Sequence, residues 1–198
     1  MSKRIFDVLV SLLVLVLAAP IIAVCAVVIK IDSNGPAFFS QQRMGRGARP
    51  FRIYKMRSMT VSHGISNPKI TVAGDARITP VGEFLRRWKL DELPQLWNVL
   101  IGDMSLVGPR PEVPEYVALY PPEVRTLVLS VRPGITDEAS IQFRHESQLL
   151  AASSDPDRLY VEKLLPAKLE LYQKYANSHG LLTDLGILGR TILSILRH

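Results

Sequence analysis

The sequence predicts a mainly helical α+β fold with a small strand element, an N-terminal membrane helix and amphipathic helices suited to an interface. Three observations carry that prediction. Ile5 to Ile31 is almost wholly apolar, interrupted by Asp7, Ser11 and Pro20 and bracketed by Lys3, Arg4 and Lys30. Phe38 to Gln42 and Phe51 to Met56 flank a glycine-bearing connection, as the arms of a hairpin do. From Thr79 onward, apolar residues recur at helical spacing behind capping residues, with prolines marking the breaks.

The apolar run is of membrane length, since about 20 such residues suffice to cross a bilayer. It is too long for a cleaved signal peptide and continues directly into a basic region. Two geometries fit: a spanning helix, or a re-entrant one that bends and returns to the face it came from. Pro20 removes a backbone hydrogen bond in mid-run and kinks a helix. Cations stand at both ends without the asymmetry of a one-way span. Both details favour the re-entrant form. The length of 198 residues, 47% of them hydrophobic, leaves room for one domain of ordinary size beside this element. A net charge of +6 calls for anionic partners, whether nucleic acid, acidic lipid or a phosphorylated substrate, and does not choose among them. A single cysteine, Cys25, excludes an intramolecular disulfide and a cysteine-based metal site.

Asp32-Ser33-Asn34-Gly35-Pro36 is a turn by composition and bounds the apolar helix. In the hairpin that follows, Arg43, Arg46 and Arg49 are expected on a solvated or lipid-headgroup face. Lys55 and Arg57 follow in the word IYKMRSM. Gly45-x-Gly47 belongs to no GxGxxG or GxxxxGK[ST] pattern, so a dinucleotide-binding reading has no support. Val61 to Gly74 is polar and reads as a loop, and Asp75 with Arg77 as a local ion pair ahead of the next helix.

Chemistry concentrates in Glu83 to Pro111, EFLRRWKLDELPQLWNVLIGDMSLVGPRP. Thr79-Pro80 is the cap and first position of one helix, and Asp91 the cap or first residue of a second, with Pro94 inside its first turn. An acidic side chain at a helix start is expected to stay ionised near neutral pH. Arg86, Arg87 and Lys89 can hold a polyphosphate against the carboxylates Asp91 and Glu92, with a divalent cation bridging the two charges. Asp91 is then a nucleophile. The competing account of an Asp-Glu pair in this position is simple complementation of the helix dipole. Downstream, Pro109 and Pro111 stiffen the backbone around Arg110, which either contacts substrate or pairs with Glu112.

Val113 to Ser130 is mixed helix broken at Pro121-Pro122. Ser147 to Asn177 is helical with a break near Asp155-Pro156 and a kink at Pro166. Leu181 to Leu196 forms an amphipathic helix that lies on the bilayer or packs on the core. His145 has no second histidine at ligand spacing and is expected to be structural or exposed.

The words FFSQQRMGRGARPFRIYKMRSM, DARITPVGEFLRR and LDELPQLWNVLIGDMSLVGPRP, led by Lys3-Arg4-Ile5-Phe6-Asp7, resemble the bacterial sugar transferases called monotopic phosphoglycosyl transferases. The resemblance implies a re-entrant membrane helix over residues 1–32 and a catalytic domain over 33–198 on the cytoplasmic face of the bacterial inner membrane. It further implies transfer of a sugar phosphate from a UDP-sugar to polyprenyl (undecaprenyl) phosphate. Asp91 matches the covalent nucleophile and Glu92 its dyad partner, with Mg2+ as cofactor held by both. Lys55 and Arg57 lie in the family-like IYKMRSM and are expected to reach substrate phosphates; Arg110 falls in the active-site PRP word, and Arg86, Arg110 and Arg144 become candidates for stabilising phosphate charge. Membrane lipids are implied partners, nucleic acid is not, and downstream glycosyltransferases would consume the product. The match departs after Arg132-Pro133-Gly134-Ile135-Thr136: where many members read G-x-A-Q-V-x-G-R, this chain has Asp137, Ala139, Ser140, Ile141 and Phe143 before Arg144. Two other classes remain open at this point, a phosphohydrolase that passes the same intermediate to water and a non-catalytic membrane scaffold.

Overall fold

The computed structural model describes residues 2–60 and 70–196. A first helix, α1 (Ser2–Asp32), runs without interruption in its helical assignment through Pro20. It is long and apolar enough to cross a membrane. One narrow face of α1 meets the rest of the protein: Asp7, Ser11, Ala18 and Ile29 are buried, and Leu15, Ile22 and Cys25 half-buried, at the three- and four-residue spacing of one helix side. The remaining faces expose Leu9, Leu13, Val16, Leu17, Val24 and Val27. An apolar surface of that extent is what a bilayer covers.

Both ends of α1 are tied to the domain through polar contacts. Near its start, Arg4 donates to the carbonyls of Val99 (2.7 Å) and Leu100 (3.1 Å), Asp7 accepts from the Ser105 hydroxyl (2.8 Å), and Lys3 pairs with Asp184. At its finish, the Arg57 guanidinium donates to the carbonyls of Ile29, Ser33 and Asn34.

The antiparallel hairpin β1 (Phe38–Met44) and β2 (Pro50–Met56) pairs Phe38 with Met56 and Met44 with Pro50, extending the expected first arm by two residues. Of the polar stretch expected as a loop, residues 61–69 lie outside the described residues; Ile70 to Gly74 are irregular, with Gly74 at φ 74°. Asp75 and Arg77 form the expected local pair (2.6 Å).

Helix α2 (Pro80–Arg87) starts at Thr79, whose hydroxyl accepts from the Gly82 amide (2.9 Å), with Pro80 in the first turn. A 3-10 turn, Leu90–Glu92, leads into α3 (Gln95–Ile101), which Gly102 closes in a left-handed conformation at φ 99°. The short strand β3 (Ser105–Val107) follows. Then come α4 (Pro114–Val117) and α5 (Pro122–Val128), separated at Pro121-Pro122 as the sequence indicates. Strand β4 (Gly134–Thr136) pairs in parallel with β3, Ser105 opposite Gly134. Sequence patterning does not announce this pair, because three residues are too few for an alternation to be seen. Its glycines do: a Cβ on Gly134 would stand 2.1 Å from the Gly108 nitrogen, and one on Gly108 2.3 Å from the Arg132 carbonyl oxygen. Only two bare backbones approach that closely.

The chain ends in α6 (Glu138–Gln142), α7 (Glu146–Ala151), α8 (Pro156–Leu159), α9 (Leu165–Ser178) and α10 (Leu181–Leu196). Pro166 sits in the first turn of α9, behind a wide π turn at Tyr160–Leu164. A looser turn there accommodates a ring that would clash with the carbonyl four residues back in a regular helix. Asp137 is the N-cap of α6, accepting from the Ser140 amide (2.9 Å) and hydroxyl (2.5 Å). The departure from the family word thus replaces a glycine by a cap. The largest apolar cluster joins α4, α5 and α9 through Val113, Val117, Val128, Leu165, Leu169 and Tyr172.

Candidate active site

Asp91 and Glu92 lie in the 3-10 turn between α2 and α3, both buried. Lys89, left-handed at φ 56°, turns the chain sharply out of α2. Pro94 occupies the N-cap position of α3, so Asp91 stands one turn ahead of that helix rather than capping it as expected. Proline lacks the amide that a continuous helix would need there, and a separate tight turn results.

The two carboxylates meet opposite surroundings. Glu92 Oε1 accepts from Lys55 Nζ of β2 and from an Arg110 guanidinium nitrogen of the loop after β3, each at 2.8 Å. Burial by itself pushes Glu92 up, but Arg110, Lys55 and Lys89 outweigh it and hold the carboxyl well below the usual carboxylate range. Glu92 in turn raises the proton affinity of Arg110. Lys55 is lowered, burial exceeding the pull of Glu92. Asp91 has no such partner. Its Oδ1 is buried without a hydrogen bond among the described residues. Burial, then repulsion from Glu92, pushes its carboxyl up against the pull of Lys55, Lys89 and Arg86. Desolvation thus weighs more on Asp91 than the cations around it.

An orphaned, buried carboxylate oxygen suits a ligand that arrives from outside. A divalent cation with waters and substrate phosphates completing its shell fits Asp91 Oδ1. The four-residue spacing Asp91 to Gln95 adds a second orphan, since Gln95 Nε2 is buried and unpartnered too. Gln95 escaped sequence reasoning because an amide at the start of a helix carries no distinctive signal.

The comparisons with known proteins then decide the family. The model of the family described as bacterial sugar transferase matches residues 1–198. This chain belongs to the bacterial sugar transferases. Among its relatives, the UDP-N-acetylgalactosamine-undecaprenyl-phosphate N-acetylgalactosaminephosphotransferase of Aeromonas hydrophila is 38% identical over 196 residues, 98% of this chain and 43% of that one. The putative undecaprenyl-phosphate N-acetylgalactosaminyl 1-phosphate transferase of Bacillus subtilis is 43% identical over 62% of this chain and 68% of its own length. The UDP-glucose:undecaprenyl-phosphate glucose-1-phosphate transferase of Caulobacter vibrioides is 41% identical over 72% of this chain and 54% of its own. The chain thus spans less than half of the Aeromonas relative.

Within this sugar transferase, the residues singled out from sequence divide sharply. Lys55, Asp91, Glu92 and Arg110 are gathered into one cluster, and Arg86 is near enough to act on Asp91 electrostatically. Arg110 pairs with Glu92, and the alternative partner, Glu112, goes to Tyr160 (2.7 Å) and Arg43 (3.7 Å). Pro109 and Pro111 are buried on either side of Arg110, and their carbonyls accept from Gly134 N (3.0 Å) and Arg43 (3.2 Å). Arg57 departs from expectation: its donors go to the carbonyls that end α1, making it a helix cap with no bond to the dyad. Arg144 is exposed and donates to His145 (2.9 Å), itself exposed as expected. Arg43, read as a surface cation, instead ties β1 to the PRP loop. Asn98, fully buried, stitches α3 to β2 by accepting from Tyr54 N (3.0 Å) and donating to Arg52 O (2.8 Å). That clip sets the height of Lys55 against Glu92.

Proposed function

We propose that this chain transfers a sugar 1-phosphate from a UDP-sugar to polyprenyl (undecaprenyl) phosphate through a covalent intermediate on Asp91. The observation that carries the reading is the asymmetry of the dyad: one carboxylate is clamped by two cations, the other is buried with an unpartnered oxygen. An Asp91 oxygen attacks the sugar-linked phosphorus, the bond from that phosphorus to the UMP oxygen breaks, and UMP leaves. A phosphate oxygen of the polyprenyl phosphate then attacks the same phosphorus and releases the Asp91 carboxylate. An acyl phosphate conserves the transfer potential of the anhydride, so no further energy source is required. Arg86, Lys89 and Arg110 offset the charge on the phosphates, and Lys55 holds Glu92 in place beside them. Mg2+, held by Asp91 with or without Glu92, would neutralise the diphosphate charge. Arg57 and Arg144 have no role in the first displacement.

In this reading α1 is re-entrant and the catalytic domain lies at the cytoplasmic face of the bacterial inner membrane. What supports it is the attachment of both helix ends to the same domain, which a span ending on the far side of the bilayer would not allow. Single cysteines at Ser2 and Ser33, in a Cys25→Ser background, are expected to label from the cytoplasmic side; labelling from opposite sides would require a spanning helix.

The deciding experiment uses a UDP-sugar labelled in the sugar, with no acceptor present. Label is expected on the peptide that bears Asp91, with one UMP released per adduct. Absence of any adduct under rapid quench, together with turnover by Asp91→Asn, would mean direct transfer in a ternary complex. Steady UMP release without acceptor would mean hydrolysis.

A further inference from the structure

The far end of the hairpin from the dyad carries a second basic site. A groove of about 570 Å³ is lined by Arg46 and Arg49 of the β1–β2 connection, Gly102 and Asp103 after α3, and Arg132 before β4. Among the described residues neither Arg46 nor Arg49 is paired with a carboxylate, and both are exposed. Arg132 donates to the Gly102 carbonyl (2.9 Å), which fixes one guanidinium in the wall. The groove holds three guanidiniums against the single carboxylate of Asp103, which accepts from Asn98 Nδ2 (3.4 Å). Burial first, then Arg4 and Arg46, lowers the proton affinity of Arg132 against the pull of Asp7.

The placement of the groove narrows the anion. A Cβ on Gly102 would lie 3.5 Å from the Arg4 guanidinium, so the groove wall adjoins the first turn of α1. Ile5 and Ile101, next in sequence to Arg4 and Gly102, are half-exposed. A site where an apolar helix leaves the domain, with guanidiniums at its margin, has the polarity sequence of a lipid: phosphate at the rim, acyl chains beyond. Guanidinium forks match phosphate oxygens, and Asp103 supplies an acceptor for a headgroup hydroxyl.

We propose that this groove, lined by Arg46, Arg49, Arg132 and Asp103, is a binding site for the phosphate headgroup of an anionic phospholipid. It is separate from the dyad at the other end of the hairpin, and its occupant is not a reactant. The site locks the hairpin tip to the membrane surface beside the start of α1.

The test uses the full chain in detergent and reads thermal unfolding while short-chain phosphatidylglycerol is titrated in, so it does not depend on sugar transfer. The wild type is expected to show a saturable upward shift, with little from short-chain phosphatidylcholine. Arg46→Gln/Arg49→Gln is expected to raise the half-saturating concentration about ten-fold or more, two lost contacts at roughly 1 kcal/mol each. A control of equal charge change on exposed helix positions, Arg125→Gln/Lys163→Gln, should titrate like the wild type. Three results would overturn the proposal: no shift with phosphatidylglycerol, an equal shift with inorganic phosphate or UMP, or equal weakening in the control. Asp103→Asn serves as a second variant, expected to weaken phosphatidylglycerol less than the arginine pair does.

Discussion

Asp91 and Glu92 are neighbours in one turn, yet they stand in two regions of different electrostatic character. Glu92 faces the hairpin and the PRP loop, where Lys55 and Arg110 reach the same oxygen at 2.8 Å. On Asp91, Lys55, Lys89 and Arg86 act only from a distance, and among the described residues nothing donates to Oδ1. Two identical chemical groups thereby acquire two uses. A paired carboxylate is a fixed piece of architecture. A desolvated, unpaired one is a reactive group awaiting a partner.

The largest test of that difference is Asp91→Asn. Release of UMP is expected to fall by several orders of magnitude. Its thermal stability should hold or rise, because burial and Glu92 together outweigh the pull of Lys55, Lys89 and Arg86 on the charge that the substitution removes. A clear loss of stability would mean that Asp91 is an architectural residue like its neighbour. Chelation comes next: EDTA should abolish turnover and Mg2+ restore it, and full activity in chelator would show that the cations of the protein suffice alone. Glu92→Gln should keep part of the first half-reaction yet lose on the order of 3 kcal/mol of stability, read by denaturant unfolding, since Lys55 and Arg110 would then face each other uncompensated.

Titration separates the pair more finely. Glu92 is depressed, so the stability it contributes is present above its ordinary value of ~4.3 and is lost as pH falls through the lower folded value. Asp91 is raised, so ionising it costs stability once pH exceeds ~3.9, increasingly up to its folded value. The stability gained by Asp91→Asn over the wild type should therefore grow as pH rises across that window and vanish below it. The smallest effect is expected at Arg57. Arg57→Lys should cost about 1–2 kcal/mol through lost bonds to the end of α1, while KM for the UDP-sugar stays within about two-fold, a factor worth only ~0.4 kcal/mol.

Much of this arrangement is legible in the chain. Thr79-Pro80 and Gly102 punctuate helices by their own chemistry, and Pro121-Pro122 and Pro156 mark breaks for the same reason. The chemistry of the Asp-Glu turn is legible through the words around it. Partner choice is not. Nothing in IYKMRSM distinguishes Lys55, which reaches Glu92, from Arg57, which caps α1; β2 ends at Met56, between the two, and only tertiary packing names their partners. Arg43 is hidden for the same reason, its partner lying 68 residues away at Pro111. The raised Asp91 is invisible because sequence places a carboxylate near a helix start without saying how dry the place is.

The way α1 is fastened bears on how the molecule is made. Its first turns are held by residues synthesised long afterwards: Arg4 by a carbonyl 95 positions later, Lys3 by a carboxylate 181 positions later. The fastening of Lys3 must therefore wait until α10 has been made. Contacts of such separation form late and slowly. A stable domain is not expected from cutting at Asp32, because Ser105, Asp184 and the end of α3 would lose the groups they were built around. The apolar helix is in this sense part of the scaffolding of the fold as much as a surface for a bilayer to cover.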